Sequence, residues 1–408
     1  MFTKTQIPLL KDHHSHPIMF AILNGCLSLD SAQTKEQALS WMKKGAEKIN
    51  IILGWNNERY SFKEQELDQL PPVIICNTSF HQFLINKTAK KKLAHSHQEI
   101  LTQINDESWV EKNLPKIMNL IVEIKSFNHE LIKNFYHEIE KQGVWYAEEM
   151  LLPFEEGIYL FKEFGYFDRT RFWTDIETFD TFSQEAQADI FGIKIFTDGA
   201  LGSETAALKA PYLTGKKGRL VYSDEELQTL ITQVAKLNKA VALHAIGDKA
   251  TEQIITVLSH IKNKQAMIPH TRIEHCQFIS RHDAYRAKAL GILLSMQPNF
   301  SIDSVQYQDR LPKKYGTQNN SFRLLIDEIG FVPGIDLIFG SDGIPHGIQN
   351  ALESALFPPF PNQRLTLDEF IAGYCMPDTK QGYIEVTIDW EKQTLSTEVN
   401  RCCWSTKL

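Results

Sequence analysis

Two rhythms of apolar and polar positions share this chain. Short runs rich in β-branched and aromatic residues recur eight times, most of them ending in polar side chains. They are LLKDHHSH (9–16), GVWYAEEM (143–150), TRFWTDIE (170–177), GIKIFTDG (192–199), AVALHAIGD (240–248), TRIEHCQ (271–277), GILLSMQP (291–298) and DLIFGSDGIP (336–345). Most of the connections between them have helical composition. SDEELQTLITQVAKLNK opens with Ser223 and, three residues on, Glu226, the signature of a capping box. DKATEQIITVLSHIKNK follows the fifth run directly. Strand alternating with helix predicts a parallel sheet. Eight such units predict an α/β fold, a (β/α)8 TIM barrel, whose active site lies at the C-terminal ends of the strands.

The interval from 27 to 140 is too long for one crossover and holds two further strand-like runs, KINIILGW and PPVIICN. It reads as a large insertion after strand 1, standing over the barrel mouth. The expected organisation is a barrel domain over 8–375 that includes this insertion, followed by a short tail over 376–408. In that tail, GYIEVTIDWEKQTLSTEV (382–399) alternates with period two and predicts a β-hairpin.

The unusual side chains fall where the runs close. His14 and His16 end strand 1, Lys194 lies in strand 4, His244 ends strand 5, His275 ends strand 6 and Asp342 ends strand 8. All six would converge at one end of a barrel. Residues two apart on a strand share a face and neighbours oppose. His14 and His16 therefore point the same way and His13 points away. Lys194, between Ile193 and Ile195, and His244, after Val241 and Leu243, would point inward. By the same alternation, Arg272 and Glu274 oppose His275 and would form supporting ion pairs. Each residue alone has a commoner explanation: a core histidine, a helix cap or a snorkelling lysine. The ordered conjunction is what points to chemistry.

Composition narrows the partners. Net charge is -7, which argues against nucleic acid or an anionic membrane surface. Six cysteines (Cys26, Cys76, Cys276, Cys375, Cys402 and Cys403) are scattered without a CxxC pair. A chain of this length needs no disulfide staples, so reduced thiols and a cytoplasmic location are expected. MFTKTQIPLL lacks the apolar segment of a signal peptide, and no run approaches the 18 apolar residues of a membrane span.

The text DHHSHP, PVIICNTSFHQFLIN, GIKIFTDGALGSETAAL, LHAIGDKA, RIEHCQ, SMQPNF and GSDGIP, spread from residue 12 to about 370, resembles the amidohydrolase superfamily of metal-dependent hydrolases. More narrowly it is similar to the amidohydrolase 3 branch, which includes N-substituted formamide deformylases. The resemblance implies a two-metal site, with Zn²⁺ the expected ion; imidazole and carboxylate ligands with a position left for water suit it, and they also accept Fe, Mn, Co or Ni. His14, His16 and Asp342 would bind one ion and His244 and His275 the other. Lys194, carrying a carbamate formed from CO₂, would bridge them. It further implies hydrolysis of an amide, related C–N or ester bond of a small-molecule substrate by hydroxide generated at the metal. Asp342 would be general acid and base, with Lys194 in the catalytic centre. His81 of the insertion, Asp198 of the loop after strand 4, and Gln297 and His346 at the ends of strands 7 and 8 are candidate substrate contacts. Asp248 would support its strand end.

Two other readings stay open: a mononuclear, deaminase-like hydrolase with a plain Lys194 amine, and a non-catalytic metal-binding scaffold. The chain also departs from the branch. Only 13 residues precede His14, where relatives carry several dozen that form a β-sandwich with the tail. The predicted hairpin would be a remnant of that sandwich. Barrel surface would then be left bare, and a homodimer contact is one way to cover it. Glu204 stands in the mouth loop where the branch tends to have Arg, a change that would disfavour an anionic substrate.

Overall fold

The structure, a computed structural model, describes residues 2–56, 59–78, 80, 82–125, 127–264 and 269–401. Eight parallel strands follow one another around a single sheet in chain order. They are Leu10–Ser15, Val144–Glu149, Phe172–Thr174, Ile190–Phe196, Ala240–Ala245, Thr271–His275, Leu293–Met296 and Leu337–Phe339, strands 1 to 8. Every predicted run overlaps its strand, and only the fourth strand begins outside its run, two residues earlier. The third is cut to three residues, because Asp175 caps a helix over Ile176–Thr181 by accepting from the Thr178 N–H. The two sheet edges are stitched together beyond strand 8. The Asp342 N–H donates to the His14 carbonyl at 2.7 Å, and the Ser341 N–H donates to Asp12 Oδ1 at 2.9 Å. The sheet is therefore a (β/α)8 barrel.

The helices pack apolar stripes against it. Asp224–Lys236 starts at the predicted capping box, with the Ser223 N–H donating to Glu226 Oε2 at 2.8 Å. It buries Leu227, Ile231 and Val234. Asp248–Asn263 buries Ile254, Ile255, Leu258 and Ile261 at the same helical spacing.

Between strands 1 and 2 lies a four-stranded sheet of Leu27–Ser28, Asn50–Trp55, Val73–Asn77 and Phe83–Ile85. Its two central strands, Asn50–Trp55 and Val73–Asn77, bury both faces, as their continuous apolar text requires. Ile51, Ile74 and Cys76 join the main core, while Ile52, Val73 and Ile75 pack with Ala38 and Met42 in a separate cluster. The helix His129–Lys141 belongs to the barrel rather than to this added layer. It packs on the helix Pro17–Leu23 and feeds strand 2.

The predicted hairpin is present as Gly382–Asp389 and Thr394–Arg401. A third antiparallel strand, which the apolar pattern does not predict, is Phe2–Pro8; it pairs with Gly382–Asp389 along its whole length, with Thr5 opposite Val386. No helix among the described residues is long and apolar enough to cross a membrane.

Candidate metal centre

Strand 1 stops where its histidine pair sits. His16 is the cap residue and Pro17 the first residue of the following helix, the position where a missing N–H costs nothing. The ring centroids of His14 and His16 are 5.7 Å apart. The Nε2 atoms of His14 and His16 lie 3.5 and 3.4 Å from the same oxygen, Asp342 Oδ1. Lys194 projects from the middle of strand 4 beside Ala242 of strand 5, a neighbour small enough to leave it room. Its Nζ is 3.5 Å from His14 Nε2. His275 closes the group, its ring centroid 4.8 Å from that of His14 and 4.5 Å from that of His244. The six residues singled out above are thus brought together at the C-terminal end of the barrel.

Strand alternation accounts for His14, Lys194 and His244 but not for strand 6. Arg272 and Glu274 reach the barrel interior, where Glu274 meets His14, and yet His275 also reaches the cluster. The backbone explains it. His275 and Cys276 have φ of 68° and 50°, left-handed values that turn the chain out of its pleat. Asp342 is a third such residue, with φ of 57°. Non-glycine residues held in this region cost roughly 1–3 kcal/mol each and concentrate at functional sites.

Three of the four histidines are aimed by a second contact. His14 Nδ1 is 2.5 Å from Glu274 Oε2, and His275 Nδ1 is 2.8 Å from Gln297 Oε1. Gln297 is fully buried and so supports His275 from behind. Its carbonyl accepts from Asn320 Nδ2 at 2.8 Å, which ties it into a buried amide network. His244 Nε2 lies 3.2 Å from the Gly199 carbonyl. Asp198 is a buried staple. Its oxygens accept from the N–H groups of Ala207, Ile246 and Gly247 at 2.8–3.0 Å, locking the mouth loop onto the end of strand 5. His346 Nε2 is 2.7 Å from Ser15 Oγ, and its ring packs edge-on against Phe20 and Phe135. His81 lies outside the described residues. Asp248 accepts from the Lys209 N–H and the Tyr315 hydroxyl, so it holds the mouth loop rather than His244. Glu204 Oε1 accepts from Thr214 Oγ1 at 2.6 Å within that loop.

Burial sets the protonation states that the arrangement favours. It holds His14 and His275 well below the usual histidine range, with the neighbouring Lys194 (for His14) and His244 (for His275) adding to the effect. Both imidazoles are thus neutral. Burial also pulls the Lys194 ammonium down to about 8, against the pull of Glu274 and Asp342.

These residues fit a divalent cation. His14, His275 and Asp342 each offer a ligand atom, all within 4.8 Å of one another. Two ligands bound at about 2.1 Å in a tetrahedral site stand about 3.4 Å apart, which matches the separations at Asp342 Oδ1. Neutral, oriented imidazoles are the form that metals bind.

The sequence profile described as "Amidohydrolase family" matches residues 129–354, more than half of the chain. The chain belongs to the amidohydrolase family. The family is one of metal-dependent hydrolases, which agrees with the donor set. Among curated proteins, the chain is 37% identical over 124 residues to "Putative amidohydrolase YtcJ" of Bacillus subtilis, covering 30% of this chain and 23% of that protein. It is 32% identical over 130 residues to "Protein LONG AFTER FAR-RED 3" of Arabidopsis thaliana, covering 31% and 22%. The matched stretches thus span under a quarter of either relative. In fold it is similar to metal-dependent hydrolases from Pyrococcus horikoshii (TM-score 0.66, 22% identity, 86% of this chain and 74% of that one) and Pyrococcus furiosus (0.67, 20%, 90% and 80%).

Proposed function

We propose that this chain is a two-metal amidohydrolase that cleaves an amide or related C–N bond of a small molecule, formamide-type substrates among the candidates. The observation that carries the reading is the approach of His14 and His16 to one oxygen of Asp342, at 3.5 and 3.4 Å, with Lys194 3.5 Å from His14. His14, His16 and Asp342 would hold one ion, and His244 and His275 the second. Lys194 would lie between the two sets. Its lowered basicity favours the neutral amine that reacts with CO₂, and the carbamate would supply two anionic oxygens toward the ions.

When bound, a divalent metal lowers the pKa of water from 15.7 to about 7 and polarises a carbonyl. Asp342 then does the proton work. Its side chain is the most exposed of the cluster's groups, 19% against 14% for His16 and 1% for His14. It would take the proton of the attacking water at a carboxylate oxygen and return it to the leaving nitrogen. His14 and His275 stay as neutral ligands throughout, because burial resists a charge on either ring.

The test is a screen of Zn²⁺-loaded protein against N-acyl amines, formamides and simple esters, run beside Asp342→Asn. Turnover of an amide or formamide that disappears in the variant is expected. Identical background rates across the panel would contradict the proposal and favour a non-catalytic metal-binding protein.

A further inference from the structure

Strand 1 carries two adjacent histidines, and both lead to the same buried ion chain. His13 Nδ1 is 2.9 Å from Glu148 Oε1. Glu148 Oε2 accepts from Arg272 Nη1 at 2.8 Å and from Trp173 Nε1 at 2.7 Å. Arg272 grips Glu274 in two places, through Nε to Oε1 and through Nη2 to Oε2 at 3.0 Å. Glu274 Oε2 then meets His14 Nδ1 at 2.5 Å. A further bond from Arg272 Nη2 to the His13 carbonyl, at 2.6 Å, closes the ring back onto strand 1. Glu148 and Glu274 are fully buried and Arg272 is 2% exposed, so solvent cannot substitute for any member. A buried triad of this kind adds little net stability over apolar residues of the same volume. Its retention beside a cluster of imidazoles calls for another role.

We propose that Glu274 is a positioning residue that fixes the His14 tautomer. A carboxylate only accepts hydrogen bonds. Facing Glu274, His14 Nδ1 must carry the proton, which leaves the Nε2 lone pair aimed at the space shared with Lys194 and Asp342. Arg272 makes the aim rigid: engaged with both oxygens, it sets the carboxylate plane and presents Oε2 to the ring. Glu148, itself pinned by Trp173 and His13, holds Arg272 in turn. The proposal rests on the metal-centre reading only for the consequence of the tautomer, not for the tautomer itself.

Glu274→Gln separates these links. Its amide must give its oxygen to Arg272, which turns the NH₂ toward His14. The ring then accepts at Nδ1 and carries its proton on Nε2, where the ion should bind. In ¹⁵N-histidine spectra of metal-free protein at pH 7.5, with His14 assigned by its loss in His14→Asn, the wild type is expected to show the Nδ1–H form. Glu274→Gln should move the signal to the Nε2–H form, and Glu274→Asp should keep the wild-type form. Zn²⁺ affinity, measured calorimetrically, should fall about 10–100-fold in Glu274→Gln. A wild-type signal in the Nε2–H or doubly protonated form overturns the proposal even if the variant does not fold. So does a folded Glu274→Gln with an unchanged tautomer. If the wild type shows the Nδ1–H form and the variant switches, yet neither binds Zn²⁺, the tautomer control stands and the metal reading fails alone.

Discussion

The Asp342 N–H donates to the His14 carbonyl at 2.7 Å, joining strand 8 to strand 1 at the point where both deliver side chains to the cluster. Barrel closure and the assembly of the centre are therefore one structural event. Damage to the seam should appear in stability and in metal affinity together.

Gly340 tests this coupling. A methyl group there would stand 2.4 Å from His14 N and 2.8 Å from His14 Cβ, against backbone that cannot step aside. Gly340→Ala should lose about 1–3 kcal/mol of stability, as overpacked sites do. It should also weaken Zn²⁺ binding, measured by urea denaturation and calorimetry on the same preparation. Loss of stability with intact affinity would uncouple seam from centre.

Asp12 is the second stitch. It accepts from the N–H groups of Ser341 and His14, at 2.9 and 3.2 Å, and from the Ser341 hydroxyl. Asp12→Ala orphans these buried donors, at about 1–3 kcal/mol for each left unsatisfied. A clear fall in the urea midpoint is expected, and an unchanged midpoint would show that the seam holds without it.

His346 sets a pH dependence. Burial presses it down to about 3, with the nearby His16 adding to the effect. The unfolded chain gains a proton near pH 6.5 that the folded one refuses until about 3. The stability this group contributes is present above pH 6.5 and declines as pH falls toward 3. His346→Gln keeps a partner for Ser15 without the titration. The stability gap between wild type and variant should shrink from pH 7 to pH 4, read by denaturant melts at each pH. A gap that widens on acidification would reverse the sign and contradict the assignment.

Asp342→Asn keeps the size of the side chain and removes its basicity. Hydrolysis should fall by about 10²–10⁴-fold, the usual weight of a general acid–base group. Melting temperature without metal should stay close to that of the wild type, since the side chain is the least buried of the cluster's acids and ligands measured above.

The barrel was legible because its strands are short apolar runs closed by polar residues, and because helix caps such as Ser223 mark the crossovers. The six-residue cluster was legible for the same reason: its members close or lie within five of the eight runs, His14 and His16 sharing the first. The strand Phe2–Pro8 was not, since only Ile7 of its side chains is buried and its partner Gly382–Asp389 lies at the other end of the sequence. The arrangement on strand 6 was not legible either. Alternation sets Glu274 and His275 on opposite faces, and nothing in the residue types announces the left-handed turn at His275 and Cys276. Gln297 read as a candidate substrate contact, because its bond to His275 depends on a ring orientation that only the fold supplies.

The central claim is that His14, His16, Lys194, His244, His275 and Asp342 form a two-metal centre bridged through Lys194. An anomalous-scattering map of crystals grown with Zn²⁺, recorded at the zinc edge, tests it most directly. Two peaks are predicted, one at His14, His16 and Asp342 and one at His244 and His275, with continuous density for a carbamate on Lys194 between them. A single peak beside a bare lysine amine, or no peak among the six residues, would contradict it.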